Sequence, residues 1–329
     1  MGATRGSTLD FIVVGAAKAG TTSLFEYLRT HPEISLPKWK ETNFFLDPLY
    51  QRGVEWYFDW VLASAPAGAV CGEASVRCMA GTPLTVPAEG SPAAVPDETA
   101  EDLARVIPTR IHTAVPEAKL IALLRDPVER CVSEHGMAAL RGEEERDLDR
   151  ALTEMLAPAA LNQARARFSP TNCYVVQGEY GRILAPFYEL FAKEQILVLF
   201  SAELAEDPAA VVQRVCGFLG VDDTFVPPNL GVRYLKGATK PRFRALDLPR
   251  LSKRLQRSQG FRKVWKRVPA ALRRQAATLS YVVEKWNRAK APTDKGPSLS
   301  PATERDLRSH FRADGERLAK LTGLEPPWL

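Results

Sequence analysis

At 329 residues the chain has room for one substantial α/β core, and 45% hydrophobic with 25% charged residues excludes wholesale disorder. Lys and Arg number 44 against 39 Asp and Glu, a formal net charge of +5, too even a balance to name a partner by itself. Cys71, Cys78, Cys131, Cys173 and Cys216 contain no Cys-x-x-Cys pair and only four histidines accompany them, which argues against structural zinc and for reduced thiols in a cytoplasmic protein.

The first apolar run, 11–17, is ended by Lys18, too short for a secretory signal or a membrane span, and no other uninterrupted stretch approaches ~20 residues. Residues 9–15 read as a buried strand, since Phe11, Ile12, Val13 and Val14 follow without a polar break. Leu24, Tyr27 and Leu28 then recur at helical spacing over 21–29, until His31 and Pro32 end the helix. Residues 38–45 form a polar turn running into two aromatics, and 54–62, with Trp56, Tyr57, Phe58 and Trp60, a rim or helix over the sheet edge. A short strand over 69–74 precedes an insert, 81–98, rich in Pro, Gly, Ala and Ser. A helix over 100–107 is expected to stop at Pro108.

Residues 119–124 are the second clear strand, and Pro127 starts a helix where its missing N–H has no partner to lose. The charged stretch 141–150 leads into further helix, and 179–191 reads as mostly helical with a kink at Pro186. A third strand over 196–200 is followed by a helix over 208–219 that Gly220 stops. The last helix begins near Pro301 and carries Leu307, Phe311, Leu318 and Leu321 for docking on the body. Three strand–helix alternations predict an α/β fold with a parallel central sheet flanked by helices, one domain over 1–329.

Charge is unevenly placed. Residues 231–293 hold eighteen Lys and Arg against Asp247 and Glu284, a local net charge of +16 that leaves −11 for the rest. This part of 231–299 is expected to be a basic, mainly helical decoration, with 300–329 as the terminal helix. Its interleaved Leu251, Phe261, Trp265 and Trp286 fit either a surface lying on an anionic partner, such as the inner face of a membrane, or a solvated subdomain facing water. Nucleic acid is disfavoured, because no recognition module accompanies the charge.

The sharpest signal is Gly15-Ala16-Ala17-Lys18-Ala19-Gly20-Thr21-Thr22-Ser23, set between a predicted strand and a predicted helix. Small residues let the main chain wrap an anion, to which the free amides of the helix start, Lys18 and the hydroxyls donate. Four residues part Gly15 from Gly20, as in a Walker A loop, but Thr21 stands where that motif requires lysine. The later strand ends in Arg125-Asp126 rather than an isolated magnesium-binding acid. Phosphate binding survives this comparison, while a nucleoside triphosphatase is disfavoured.

The loop resembles the 5′-phosphosulfate loop of sulfotransferases that use 3′-phosphoadenosine-5′-phosphosulfate. Leu124-Arg125-Asp126-Pro127-Val128-Glu129-Arg130-Cys131-Val132-Ser133 resembles the 3′-phosphate site of the same family. The likeness covers about residues 9–221, resumes in the basic and terminal helices, and points to bacterial members of the heparan-sulfate-like (Golgi-type) branch. It implies a P-loop-like three-layer fold, 3′-phosphoadenosine-5′-phosphosulfate as donor, adenosine 3′,5′-bisphosphate as product, and no metal. By this resemblance Lys18 contacts the 5′-phosphate and bridging oxygen, and Ala19, Gly20, Thr21, Thr22 and Ser23 complete the loop. Arg125, through its planar fork, and Ser133 hold the 3′-phosphate.

Lys38-Trp39-Lys40-Glu41-Thr42-Asn43-Phe44-Phe45 resembles the segment from which heparan-type enzymes present a glutamate. Glu41 is thus the expected base, with Lys18 as the second catalytic group; His135 as base, or no protein base beside a solvated Glu41, are the alternatives. Gly72-Glu73-Ala74-Ser75 resembles the family's Gly-Glu-x-Ser strand end, with Ala74 where lysine is frequent. The likeness sets Glu73 near the acceptor, to orient Lys40 or to bind substrate, although a structural ion pair suits Glu73 equally well; His135, just beyond Ser133, is expected to line the acceptor pocket. Tyr234-Leu235-Lys236-Gly237-Ala238-Thr239-Lys240 resembles the loop that closes over the nucleotide, which brings Lys236 and Gly237 to the donor without the disulfide that frames it in heparan-type enzymes.

The expected reaction is in-line sulfuryl transfer to a hydroxyl of a glycolipid, carbohydrate or natural product. A non-catalytic nucleotide-binding protein of the same fold and a P-loop kinase are the alternatives. The aromatics at 56, 57, 58 and 60, the insert, and 168–180 either shape the acceptor cleft or pack the sheet. His31 is expected at a helix terminus, and His112 and His310 at the surface.

Overall fold

The computed structural model describes residues 9–46, 49–81, 100–232, 234 and 299–329. The basic stretch apart from residues 231, 232 and 234, with Lys236 and Gly237 in it, and nearly all of the Pro-rich insert lie outside the described residues. Five parallel strands form one sheet in the order β2-β3-β1-β4-β5. They are β1 (Phe11–Gly15), β2 (Ile34–Ser35), β3 (Val70–Ala74), β4 (Lys119–Leu124) and β5 (Ile196–Phe200). β1 is buried along its whole length, and β4 and β5 are near-continuous aliphatic runs, as a parallel sheet covered on both faces demands. Phe11 pairs with Gly72 on one side and Lys119 on the other, so β1 lies at the sheet's centre. The close β1–β3 approach needs Gly72, where a Cβ would sit 2.2 Å from the Phe11 ring.

Helices flank the sheet. They are α1 (Thr21–Leu28), α2 (Val54–Val61), α3 (Ala100–Ala114), α4 (Pro127–Leu140), α5 (Leu148–Leu156), α6 (Pro158–Ala166), α7 (Tyr180–Leu190), α8 (Ser201–Glu206), α9 (Pro208–Leu219) and α10 (Pro301–Thr322). α1 packs with α9, while α3 and α10 both pack on α7. A second apolar core, built on Cys131, Leu152, Met155, Tyr174, Leu307 and Phe311, joins α4, α5 and α10 beside the main one.

Several expectations change. α3 continues through Pro108 to Ala114 because Ile107, Ile111 and Val115 are buried in the core, and that burial outweighs the hydrogen bond a mid-helix proline removes. β2 is only two residues long, too short to leave a periodic signal. The aromatics of α2 pack rather than line a cleft. Tyr57 is buried and stacks on Phe44 at 4.0 Å, and Trp56 stacks on Trp60. His112 is half-buried, edge-on to Phe191, and His310 reaches a buried carboxylate on Glu179, so neither is a free surface group.

Candidate active site

Parallel strands leave their C-terminal ends facing a crevice, and here that crevice is a cleft of about 1420 Å³. Its floor is the loop between β1 and α1. The Ala16 amide donates to Leu123 O at 2.7 Å, which ties the loop's start to β4. Lys18 (φ 69°) and Gly20 (φ 104°) then turn the chain through left-handed conformations. Gly20 caps α1 without a side-chain bond; the Ser23 and Leu24 amides already turn back to Gly20 O, which leaves the Thr21 and Thr22 amides as the donors of the helix start, beside a cleft that Thr21, Thr22 and Ser23 line. Ala19 is buried beneath them. Burial pulls the Lys18 ammonium below the ordinary lysine range; Glu134 counters this, and Arg141, Arg125 and Arg130 push it further down. Crowded cations of this kind are the electrostatic signature of a place that receives an anion.

Arg125 leaves the end of β4 and donates to Lys18 O at 3.3 Å, so the two separated motifs meet in one wall. The rest of its guanidinium pairs with Glu129 Oε2 at 2.9–3.0 Å. That pair is exposed and worth at most ~1 kcal/mol, weak enough for a phosphate to displace. Ser133 lines the same wall from α4, whose N-terminus Asp126 caps by accepting from the Val128 and Glu129 amides.

The opposite lip carries Lys40 and Glu41. Lys40 Nζ donates to Thr21 Oγ1 at 3.1 Å and to Glu41 Oε1 at 2.6 Å, a bridge between the phosphate loop and the carboxylate. Glu41 adopts φ 65°, held by its amide on Ala74 O and by the Val76 amide on its Oε2. A non-glycine residue in this region carries strain that its surroundings must offset.

Two candidates lie elsewhere. Glu73 has none of its surface exposed and accepts from the hydroxyls of Thr42 (2.7 Å) and Ser75 (2.8 Å), beneath Glu41 rather than in the cleft. His135 is buried, its Nε2 on Arg146 O at 3.0 Å and its ring edge-on to Tyr174, so it belongs to the second core. The register of α4 explains this: Ser133, Glu134 and Met137 face the cleft and His135 faces away. Sequence reasoning missed Arg77, Arg141 and Trp328 as lining residues. Arg77 and Arg141 carry a signal only as unassigned cations next to the motifs, and Trp328 carries none.

Three comparisons bear on this geometry. A family model described as a sulfotransferase domain matches residues 8–263. The human bifunctional heparan sulfate N-deacetylase/N-sulfotransferase 2 is 25% identical over 217 residues, 64% of this chain and 22% of that protein. The mouse heparan sulfate glucosamine 3-O-sulfotransferase 3B1 is 27% identical over 227 residues, 69% of this chain and 50% of that one. The chain thus spans about a fifth and about half of these two relatives. Among solved structures, a sulfotransferase from Alicyclobacillus acidocaldarius has the same fold, with a TM-score of 0.62 and 22% identity over 97% of this chain and 98% of that one.

Proposed function

The chain belongs to the sulfotransferase family, and from that premise we propose that it moves the sulfuryl group of 3′-phosphoadenosine-5′-phosphosulfate to an acceptor hydroxyl, with Glu41 as base. The observation that carries this reading is the Arg125–Lys18 O hydrogen bond, which makes the β1 loop and the β4 exit a single wall facing Glu41. The donor carries its two phosphate groups on separate arms of its ribose, at the 3′ and 5′ positions. Lys18, the hydroxyls of 21–23 and the α1 amides suit one, and Arg125 with Ser133 suits the other.

In the proposed step the acceptor oxygen forms its bond to sulfur as the bond from sulfur to the bridging oxygen of the 5′-phosphate breaks in line. The hydroxyl proton passes to Glu41, and the negative charge gathering on the departing bisphosphate meets Lys18 and the loop amides. Lys40, bonded to both Thr21 and Glu41, holds the base at the donor's reactive end. We assign the acceptor to the carbohydrate class, glycolipids included, because the relatives named above act on heparan sulfate.

The test has two arms. Calorimetry should find metal-independent binding of adenosine 3′,5′-bisphosphate in preference to ATP; the reverse preference, or a requirement for magnesium, sinks the donor assignment. Incubation with ³⁵S-labelled donor and a panel of oligosaccharides and glycolipids should label one of them. On that acceptor Glu41→Gln should lower kcat about 10²–10⁴-fold with bisphosphate affinity nearly unchanged. Near-normal turnover in E41Q removes Glu41 as base.

A further inference from the structure

We propose that Trp328, on the tail that follows α10, forms the surface on which the donor's adenine ring lies; the proposal rests on the donor reading above. The sheet order supplies the first argument. Along the crevice Glu41 is tied to the end of β3, Lys18 follows β1, Arg125 ends β4, and Trp328 packs on Phe200 at the end of β5. With strands about 4.8 Å apart, these groups are strung over roughly 14 Å in that order. In the proposed donor the base, on C1′, lies across the ribose from the 5′-phosphosulfate, with the 3′-phosphate as a side branch. A donor whose sulfuryl end meets Glu41 and whose 5′-phosphate meets Lys18 therefore runs onward past Arg125 with its base towards the β5 end.

Chemistry agrees with the topology. Ten of the described lining residues are Lys, Arg, Asp or Glu, but at the β5 end the wall is made by Phe200, Ser201, Ala202, Leu204, Pro327 and Trp328, none of which carries a charge. An uncharged, aromatic-rich stretch of wall suits a neutral heteroaromatic ring and no other part of a bisphosphate nucleotide.

The tail is also braced for the task. Gly323 (φ 75°) ends α10, the Leu329 amide returns to Pro326 O at 3.1 Å, and Leu329 seats on Gly315, where a Cβ would lie 2.7 Å from its Cδ2. The Trp328 indole stands edge-on to Phe200 at 5.5 Å and tilted on Tyr180 at 5.9 Å, half-buried, with the remainder lining the cleft. Tyr180 donates its hydroxyl to Arg125 O at 3.0 Å, so one ring supports both the arginine at the proposed phosphate site and the tryptophan beyond it.

The experiment titrates the full chain and its Trp328→Ala and Trp328→Phe variants with two probes, adenosine 3′,5′-bisphosphate and the base-free 1-deoxyribose 3,5-bisphosphate. W328A should lose about 5–150-fold in affinity for the nucleotide, the usual range for removing one base-stacking aromatic, and keep wild-type affinity for the base-free probe. W328F should recover most of the loss. Nucleotide affinity within twofold of wild type in W328A overturns the proposal, as does equal weakening towards both probes, which would make Trp328 a mere brace of the wall. If wild-type protein binds neither probe, the donor reading itself falls and takes the proposal with it, an outcome distinct from the first two.

Discussion

Glu73 is a buried carboxyl that the active-site lip is built upon. Its Oε2 accepts hydrogen bonds from the Thr42 and Ser75 hydroxyls, which turns a Ser75 lone pair to the Asn43 amide at 3.0 Å and so pins the strained 41–43 turn. Burial pushes this carboxyl up to about 7, with Glu41 adding to the rise and the two hydroxyl donors opposing it. The folded protein keeps a proton here that the unfolded chain releases near pH 4.5, so this group's contribution to stability declines as pH climbs from 4.5 to 7. Glu144 and Glu179 behave oppositely. Though burial raises both, hydrogen bonds and ion pairs from Arg146, and from His310 and Arg165, hold them at about 2, and their support is lost as pH falls from 4.5 towards 2. Glu73→Gln keeps an acceptor oxygen and removes the titration. Relative to wild type it should gain ~2–3 kcal/mol between pH 5 and pH 8 in urea unfolding, since each tenfold difference in proton affinity between the folded and unfolded chain is worth about 1.4 kcal/mol. Parallel stability curves for the two proteins would mean that Glu73 is ionised throughout.

α4 illustrates how an element places chemistry. Asp126 Oδ1 accepts from Val128 N at 2.8 Å and Glu129 N at 3.2 Å, while Oδ2 meets Arg308 of α10 at 3.1 Å. Asp126→Ala removes the cap and should cost about 0.5–2 kcal/mol in thermal or urea unfolding. Asp126→Asn keeps a capping oxygen, breaks only the partly exposed pair with Arg308, and should lose less than ~1 kcal/mol; equal losses in the two would show that the cap contributes nothing. This element was legible in advance because its signals are local: an aliphatic strand, Arg125-Asp126, then proline at the first helical position. β1, β5, α9 and the start of α10 were readable for the same reason. What escaped was set by distant partners. α3 runs past Pro108 because of the core it covers, His135 is withdrawn by the second core, and Trp328 reaches the cleft through packing on Phe200 and Tyr180. None of these contacts leaves a mark in the neighbouring sequence.

At the scale of the molecule, one cleft wall depends on a helix encoded far from the phosphate motifs. α10 lies against α7 so closely that a Cβ on Gly181 would sit 2.5 Å from Asp314 O and 2.9 Å from Leu318 N, both backbone atoms that cannot swing aside. Asp314 answers from its side chain, accepting from the Gly181 and Arg182 amides at 2.8 Å each. Nearby, Glu179 is buried and gathers Arg165 of α6, Arg182 of α7 and His310 of α10. Gly181→Ala should therefore force α10 outward, with a loss of about 1–3 kcal/mol or more in unfolding free energy. Because the tail carrying Trp328 follows α10, the same variant should bind adenosine 3′,5′-bisphosphate more weakly. Gly217 is the control. It too lies within a helix, but it is exposed and a Cβ there would come no nearer than 3.7 Å, to Asp223 Oδ2. Gly217→Ala should stabilise the protein by ~0.5–1 kcal/mol through helix propensity alone and leave nucleotide affinity untouched. Chemical denaturation and calorimetry on the two alanine variants decide the matter, and matching behaviour would show that the α7–α10 contact does not carry the wall.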